Sequence, residues 1–459
     1  MISFQDYIEL RQAGESEAIE KVISDWQTQT IYSRAIIADE YDRQENTTIK
    51  NFIQQIYSLN GKKIENYTAS NKKIASNFFA RLNIQRNTYS LGNGVTFSRD
   101  GVKEKFGKKL DTNLFDIGYY SIIHGLAFAF WSEGLQLLKV TEFAPLWDED
   151  TGALKAGIRF WKVDENKPLN IVVYEEDGLT RWQKKDGTYS LKQEKRGYIE
   201  KREYTQAEGE NLIGYENYSA LPIFPLWGSR KKQSTLVGMR SQIDAYDLIK
   251  SGFANDLTEC AQIYWLVENY GGMTEDDLAK FRDRILFNHI AEVDSSQGGK
   301  VTPYTQEVPS QARETFLSGI RKDIYESYGG LDVHAVSANS TNDHLDAAYQ
   351  PLDENADDFE MQVIEFIQRV GAMLGLTEEE ATPIFKRNRI VNQREITDMV
   401  MLCASYLDED TILKKLPFLT VDEIEEIKKN KAEEDLDKFK EIEEESEDEL
   451  NEEEGQRIN

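Results

Sequence analysis

The sequence predicts an α+β fold that is mainly helical. Three long stretches, at 234–264, 312–328 and 345–374, repeat apolar residues every three or four positions, which is the spacing of one helix face. Between about 90 and 230, runs of β-branched and aromatic residues alternate with turn residues, as in a β-meander. The chain has 459 residues, of which 40% are hydrophobic and 11% aromatic. It can therefore bury a core, and its length suggests roughly two to four domains.

The N-terminal 85 residues are expected to be helical. Two apolar stripes support this expectation: Ile49, Phe52, Ile53, Ile56 and Tyr57, and then Ile74, Phe78, Phe79 and Leu82. The pattern changes at Gly92-Asn93-Gly94, a turn signal, and a short helix is expected over Leu110–His124. The strand-like runs that follow are LAFAFW, LQLLKVTEF, AGIRFWKV, NIVVYEED, LTRWQKK and RGYIEKREY. Their connections are too short for helical crossovers, so the strands should be antiparallel.

The stretch 234–264 predicts a helix of unusual length. As one helix, its 31 residues would span roughly 46 Å at about 1.5 Å per residue, whereas a globular helix averages about three turns. Gly238 and Gly252 each cost on the order of 1 kcal/mol relative to alanine in a helix interior. Packing against neighbours, in this chain or in other copies of it, should therefore stabilise this helix.

A second long helix should begin after Pro309, which suits a first turn, and end at Gly329-Gly330. The insert between the two long helices, residues 265–308, should contain a helix over 275–287 and a hairpin around Gly298-Gly299. The two helices would then form an antiparallel stem that carries a small head.

Beyond the second helix, residues 331–344 are small and polar and predict a loop. A third long helix is expected within 345–390, where Pro351 should kink it or end its first turn. Short helices are expected over 391–440. Residues 441–459 are so rich in acidic side chains that they should be disordered.

The chain is strongly acidic, with a net charge of 54 − 82 = −28, and residues 421–459 alone contribute 6 − 18 = −12. Non-specific affinity for DNA comes mostly from Lys and Arg, so this chain is a poor candidate for gripping a phosphate backbone, although it could handle DNA without gripping it. No apolar run approaches the roughly 18 residues of a membrane span, and no secretory signal is visible. Cys260 and Cys403 lie in apolar stripes and are expected to be buried thiols, which fits a reducing cytoplasm.

The motifs indicate no enzymatic chemistry. The segment GVKEKFGKKL superficially suggests a phosphate loop, but five residues separate its glycines and Lys109 stands where a Ser or Thr should bind magnesium. His334, Asp343, His344 and Asp346 are metal-ligand types, yet their spacing matches no strong ligand pattern. We therefore expect no catalytic residue, no metal and no cofactor.

Several segments, in order along the chain, resemble the portal proteins of tailed bacteriophages, in particular the portals of long-tailed phages that infect Gram-positive bacteria. They are NTYSLGNGVTF; GALKAGIRFW followed by NIVVYEEDGLTRW; LPIFPLWGSRKKQSTLVGMRSQIDAYDLIKSGFANDL; and DEDTILKKLPFLTVDEIEEIKK. The third segment is the most specific, and the resemblance covers about residues 45 to 435.

The resemblance implies a portal fold in which twelve subunits form a ring around a central channel. The regions it implies are a wing (1–235), stem helix 1 (236–264), a clip (265–308), stem helix 2 (309–330), a tunnel loop (331–344), a long kinked helix returning to the wing (345–390), a crown (391–440) and an acidic tail (441–459). DNA would pass through this channel during packaging and ejection, and an acidic wall would let it slide because it makes few phosphate contacts.

The partners implied by the resemblance are other copies of the chain, double-stranded DNA, the terminase motor, the major capsid and scaffolding proteins, and a head-completion or adaptor protein, with no membrane. The protein would reside at one capsid vertex of the virion, after assembly in the host cytoplasm.

Three sets of residues are expected to serve this role. The tunnel loop would present His334, Val336, Ser337, Asn339, Ser340, Asn342, Asp343 and His344 to DNA or to neighbouring subunits, with Val333 and Leu345 as further anchors. The cations that could face the channel are Lys250, Arg321 and Lys322, although such residues on amphipathic helices are more often simply solvated positions. Packing of the stem would use Ile243, Tyr246, Phe253, Leu257, Phe316 and Ile320.

Two other classes of protein compete with this interpretation. An enzyme of DNA packaging should carry a phosphate loop or an acidic metal cluster at a strand end, and neither is evident in the sequence. A structural scaffold that does not form a ring would have no need of a compact insert between two long helices.

Overall fold

The computed structural model describes residues 1–57, 61–65, 70–205, 209–260, 264–268, 274–283, 300–304, 310–333, 341–387, 389, 393–403, 405–416, 423–424 and 427–430. The chain divides into two units: residues 1–331 with 351–388 form the first, and residues 332–350 with 389–459 form the second.

The helices of the described residues are α1 (Phe4–Ala13), α2 (Glu15–Thr28), α3 (Thr30–Asp42), α4 (Thr47–Lys50), α5 (Phe78–Leu91), α6 (Val102–Lys105), α7 (Leu110–His124), α8 (Leu236–Cys260), α9 (Glu275–Asp283), α10 (Ser310–Tyr328), α11 (Asn342–Met373), α12 (Gln393–Leu402) and α13 (Glu409–Lys415). The strands are β1 (Gln55–Tyr57), β2 (Lys63–Glu65), β3 (Val95–Thr96), β4 (Leu126–Trp131), β5 (Leu135–Lys139), β6 (Phe143–Trp147), β7 (Leu154–Trp161), β8 (Leu169–Glu175), β9 (Gly178–Lys185), β10 (Thr188–Arg196), β11 (Ile199–Thr205), β12 (Gly209–Glu216), β13 (Ile223–Trp227), β14 (Tyr264–Glu268), β15 (Lys300–Tyr304) and β16 (Ile384–Phe385).

The predicted antiparallel meander is confirmed. Strands β6 to β10 form one five-stranded sheet in chain order, and each pairs antiparallel with the next. Strands β13, β4 and β5 form a second, three-stranded sheet. Helix α7 has the predicted bounds Leu110–His124, and β4 coincides with LAFAFW. Alternation of apolar residues between turn signals was therefore sufficient to predict this region.

Three apolar clusters form the core of the first unit. One packs helices α1 to α3 against the five-stranded sheet, where the indole N–H of Trp26 donates to the carbonyl of Val140 at 2.9 Å. A second joins α7, the three-stranded sheet and the part of α11 that follows residue 351. The third gathers side chains of α3 and α5 around the start of α8 and the end of α10. This third cluster fixes the position of the two long helices.

The helical prediction is wrong for residues 51–57, whereas Ile49 lies in helix α4 as predicted. Helix α4 ends at Lys50, and Gln55–Tyr57 is a strand that pairs antiparallel with Lys63–Glu65. Ile49 is buried, but Phe52 and Ile53 are 41% and 45% exposed, so these two members of the predicted apolar face have no core against them. The backbone is satisfied by strand pairing instead. Ile74 likewise lies outside a helix, because α5 begins at Phe78.

The long helices are confirmed with changed ends. Helix α8 ends at Cys260, and Tyr264 begins a strand that pairs with β15 instead of extending the helix; residues 261–263 lie outside the described residues. Helix α10 ends as predicted, with Gly329 at a φ of +70° and the Gly330 N–H bonded to the Tyr325 carbonyl at 3.0 Å.

Helix α11 begins at Asn342, so Asn342, Asp343 and His344 are helical and do not belong to a loop as predicted. The Leu345 N–H bonds to the Thr341 carbonyl at 3.0 Å, which closes this first turn earlier than the composition suggested. Pro351 does not end the helix, which continues through it to Met373.

The second unit contains the start of α11 together with α12 and α13. Arg389 pairs with Asp346 at 3.1 Å and lies over the ring of Tyr349, and Asp408 caps α13 by accepting from the Thr411 N–H at 3.1 Å. The expectation that Cys403 is buried is wrong: its thiol is exposed, because α12 ends at Leu402 and that side chain is itself 80% exposed. The side chain of Cys260 and the predicted tail, 441–459, lie outside what the structure describes.

No helix among the described residues is long and apolar enough to cross a membrane. Within the same part of the chain, no three His, Cys, Asp or Glu side chains are grouped closely enough to hold a metal ion.

Candidate subunit interface and channel surface

Helices α8 and α10, which we call the stem pair, lie side by side in antiparallel orientation. Gln242 donates to Ser327 at 2.9 Å, and Asp256 forms an ion pair with Arg313. The two contacts are separated by the same number of residues on each helix, from 242 to 256 on α8 and from 327 to 313 on α10. The two helices therefore keep one register over this length. That register sets Phe316 of α10 at the level of Phe253 of α8.

The base of the stem pair, residues 236–251 and 320–328, is anchored in the core of the first unit. Ile243 and Ile324 are fully buried, Ile320 is buried, and all three belong to the cluster formed with α3 and α5. Tyr246 is half-buried, and its ring meets that of Phe78 edge-on at 4.9 Å between centroids. Of the predicted stem-packing residues, Ile243, Tyr246 and Ile320 therefore pack within this chain.

A polar face of α8 holds the extended segment 70–76. Side chains spaced four residues apart on the helix accept from backbone N–H groups spaced two residues apart: Ser76 N to Asp247 Oδ1 at 2.9 Å, Ile74 N to Ser251 Oγ at 2.9 Å, and Lys72 N to Asn255 Oδ1 at 2.6 Å. Four helical residues rise about 6.0 Å and two extended residues rise about 6.6 Å. The two repeats nearly match, so one helix face can bind the backbone of an extended chain.

The same face bonds to the N-terminal helices. Tyr41 and Thr48 donate to the two carboxylate oxygens of Asp244, the second at 2.7 Å, and Asn46 donates to Asp247. Asp247 is fully buried, and burial raises its pKa although the Asn46 and Ser76 contacts oppose the shift. Sequence analysis missed this polar ladder. Its signal was present, since Asp244, Asp247, Ser251 and Asn255 recur at helical spacing beside the apolar stripe.

The tip of the stem pair, residues 252–260 and 310–319, is different. Leu257 is 53% exposed and Phe316 is 52% exposed, while Phe253 is half-buried beneath the guanidinium of Arg313 at 5.6 Å. Among the described residues, therefore, none fully covers the predicted packing residues Leu257 and Phe316. Exposed apolar side chains grouped on a rigid element are typical of a protein interface.

Each predicted channel cation contacts a residue four positions away on its own helix. The Lys250 ammonium lies 5.4 Å from the Tyr246 ring centroid, and the Arg321 guanidinium lies 5.5 Å from that of Tyr325. Lys322 is 75% exposed and pairs with Glu326 one turn away at 3.4 Å. Such an exposed pair contributes little energy, so Lys322 keeps its charge accessible on the surface of the single subunit.

The predicted tunnel loop falls largely outside the described residues. This holds for His334, Val336, Ser337, Asn339 and Ser340. The segment leading into the loop is placed, since Leu331 is buried and its N–H bonds to the Gln85 side chain at 3.0 Å, while Val333 is 49% exposed. At the other end the Thr341 hydroxyl accepts from the His344 N–H at 3.4 Å and caps α11.

Comparison with known proteins identifies relatives over most of the chain. The family model described as "Phage portal protein, SPP1 Gp6-like" matches residues 35–437. A protein named "Portal protein" from Clostridium phage phiCD119 is 28% identical over 228 residues, which cover 48% of this chain and 50% of the relative. Another "Portal protein", from Bacillus phage SPP1, is 23% identical over 227 residues, which cover 46% of this chain and 44% of the relative. The chain thus spans about half the length of the curated relatives it matches.

Proposed function

The chain belongs to the SPP1 Gp6-like family of phage portal proteins, and we propose that it forms a closed ring, of twelve copies, at one vertex of the capsid. Membership makes it a structural component of the phage that connects head and tail, in a family not known for enzymes. The ring would surround the channel through which DNA enters during packaging and leaves during ejection.

The observation that carries this proposal is the contrast within the stem pair. Its base is covered by the subunit's own core, whereas Leu257 and Phe316 at its tip are about half exposed. Burying an apolar side chain of this size contributes on the order of 1.5–3 kcal/mol when it is complete. Neighbouring copies packed side by side would cover these residues and extend the apolar contacts along the stem.

The net negative charge of the chain supports a channel that does not bind DNA tightly. The chain carries −28, and a wall making several phosphate contacts would bind DNA with strong salt dependence. The base of the stem pair would lie beside the wing and the tip beside the clip. The clip would meet the terminase motor and later the adaptor of the tail, and major capsid and scaffolding proteins would surround the wing, with assembly in the host cytoplasm.

The tunnel loop gives this proposal a test in the phage. Deleting residues 337–340 keeps Thr341 as the cap of α11 and leaves the stem pair untouched. Rings should form normally, as seen by negative-stain microscopy, while the amount of packaged DNA per head should fall severalfold. Replacing Ser337 and Ser340 by Gly, which keeps the loop length, should preserve packaging. Full-length genomes packaged at normal yield by the deletion would contradict the assignment of the loop.

A further inference from the structure

A polar cavity of about 150 Å³ lies at the N-terminus of α8, inside the first unit. This is about ten times the roughly 15 Å³ that admits one water molecule. Its lining comes from four separate parts of the chain: Arg86 of α5, the segment around Lys231 and Thr235, Ser327 and Tyr328 of α10, and Asn355 and Asp358 of α11. Neutral hydroxyl and amide groups alternate there with cations.

Arg86 is the central cation of this cavity. It is 4% exposed, and its Nη2 donates to the carbonyls of Gly228 and Asn355, each at 3.1 Å. Its Nε has no hydrogen-bond partner among the described residues, and no carboxylate there forms an ion pair with it. The guanidinium lies 5.7 Å from the Phe359 ring centroid, but a buried cation without a carboxylate partner is costly. An anion in the cavity would neutralise this charge.

The surroundings favour negative charge as well. Residues 217–243 contain four basic side chains and no acidic one, in a chain of net charge −28. Lys231 lines the cavity, which adjoins the first turn of a 25-residue helix whose N-terminus carries the positive end of its dipole. The acidic side chain in the lining, Asp358, is paired with Arg230 at 3.3 Å. The lining therefore keeps a net positive charge.

Gly238, a poor helix former, lies in the first turn of α8 beside the cavity. It lines the cavity, and a Cβ built on it would meet nothing within 4 Å. Glycine here leaves the space beside the first turn of α8 open. A side chain at this position would therefore meet no steric conflict at its Cβ.

The N–H groups of Leu236 and Val237 at the start of α8 already bond to Ser234, so the helix contributes its dipole and the side chains supply the contacts. From this arrangement we propose that the cavity is a binding site for a phosphate group, held by Arg86 and Lys231 beside the N-terminus of α8. Two sources share this chemistry: free inorganic phosphate, and a phosphate of the DNA backbone. The site is complete within one subunit, so it does not depend on whether the chain forms a ring.

Calorimetric titration of the full-length protein with inorganic phosphate, in chloride buffer of constant ionic strength, tests the site. The unmodified protein should show saturable binding. Lys231→Ala should weaken it about tenfold or more, and Gly238→Glu should abolish it, since the new carboxylate would occupy the space while suiting the first turn of a helix. Lys232→Ala is the matched control, because Lys232 lies over the Trp227 ring at 4.9 Å and does not line the cavity. Its affinity should stay within about twofold.

A second titration, with a short DNA duplex followed by fluorescence anisotropy, separates the two sources. If Lys231→Ala weakens duplex binding severalfold and inorganic phosphate competes, the site takes a backbone phosphate. If duplex binding is the same in both proteins while phosphate binding differs, the site takes the free ion. The proposal is overturned if neither probe binds in a Lys231-dependent way, or if Lys231→Ala and Lys232→Ala weaken phosphate binding equally.

Discussion

The two ends of the stem pair share the same helices but differ in what stabilises them. At the base, Ile243 and Ile324 are fully buried and the carboxylates of Asp244 and Asp247 bind the N-terminal region. At the tip, Leu257 and Phe316 are half exposed, and the ion pair between Asp256 and Arg313 joins the two helices. A partly exposed ion pair contributes at most about 1 kcal/mol, so the described contacts stabilise the tip less than the base.

The difference means that the start of α8 is stabilised by the fold of the subunit, whereas its end is the part available for the proposed assembly. A helix needs tertiary packing of its apolar face to be stable in water. Helix α8 obtains that packing from its own chain over its first turns, which makes it a rigid base for the remainder. At its far end, Leu257 is left 53% exposed by the described residues.

The largest expected effect is at the base. Replacing Ile243 by Ala should lower the free energy of unfolding of the subunit by about 2–5 kcal/mol, because it leaves a cavity in a packed cluster. The matched substitution Leu257→Ala at the tip should cost less than about 1 kcal/mol. Urea denaturation at a concentration where subunits are separate measures both values. Equal losses would remove the distinction between base and tip.

An intermediate effect is expected from a charge at the tip. Replacing Phe316 by Asp should weaken each contact between subunits by about 2 kcal/mol or more, because a carboxylate would be buried without a partner. Unfolding of the separate subunit should change little, since the side chain is 52% exposed there. Light scattering should show loss of the assembled particle, whereas the control Phe316→Leu should retain it. Intact assemblies of Phe316→Asp would place the interface elsewhere.

The smallest expected effect is a pH dependence at the base. Burial raises the pKa of Asp247 above its usual value of 3.8, so the folded state binds this proton more tightly than the unfolded chain does. Stability then falls as the pH rises through the interval above 3.8, up to the folded pKa. The melting temperature of the unmodified protein, minus that of Asp247→Asn, should decrease from about pH 4 towards neutrality. A difference that rises with pH would show that the ionised carboxylate is favoured in the fold.

The sequence predicted well wherever periodicity decided the structure. The continuous apolar run of β4 and the bounds of α7 were both predicted correctly because each segment packs into a core. It failed at residues 51–57, where Phe52 and Ile53 have no core beside them, and at Cys403, which follows an exposed end of α12. Spacing specifies which residues share a face and does not specify whether that face is covered.

The sites of interest were harder to predict for a related reason. The polar ladder of α8 depends on an extended segment more than 170 residues away in the chain. The cavity beside Arg86 is assembled from α5, α8, α10 and α11, and no local pattern links these elements. Long-range juxtaposition of this kind is visible in coordinates and not in a single sequence.

The mass of the intact particle tests the central claim most directly. Native mass spectrometry of the purified protein at micromolar concentration should show a closed assembly, and twelve copies of the 52.9 kDa chain would give about 635 kDa. One copy more or fewer would still indicate a closed ring, which negative-stain microscopy of the same sample should show with a central hole. A protein that remains at 52.9 kDa under these conditions would contradict the proposal that neighbouring subunits cover the tip of the stem pair.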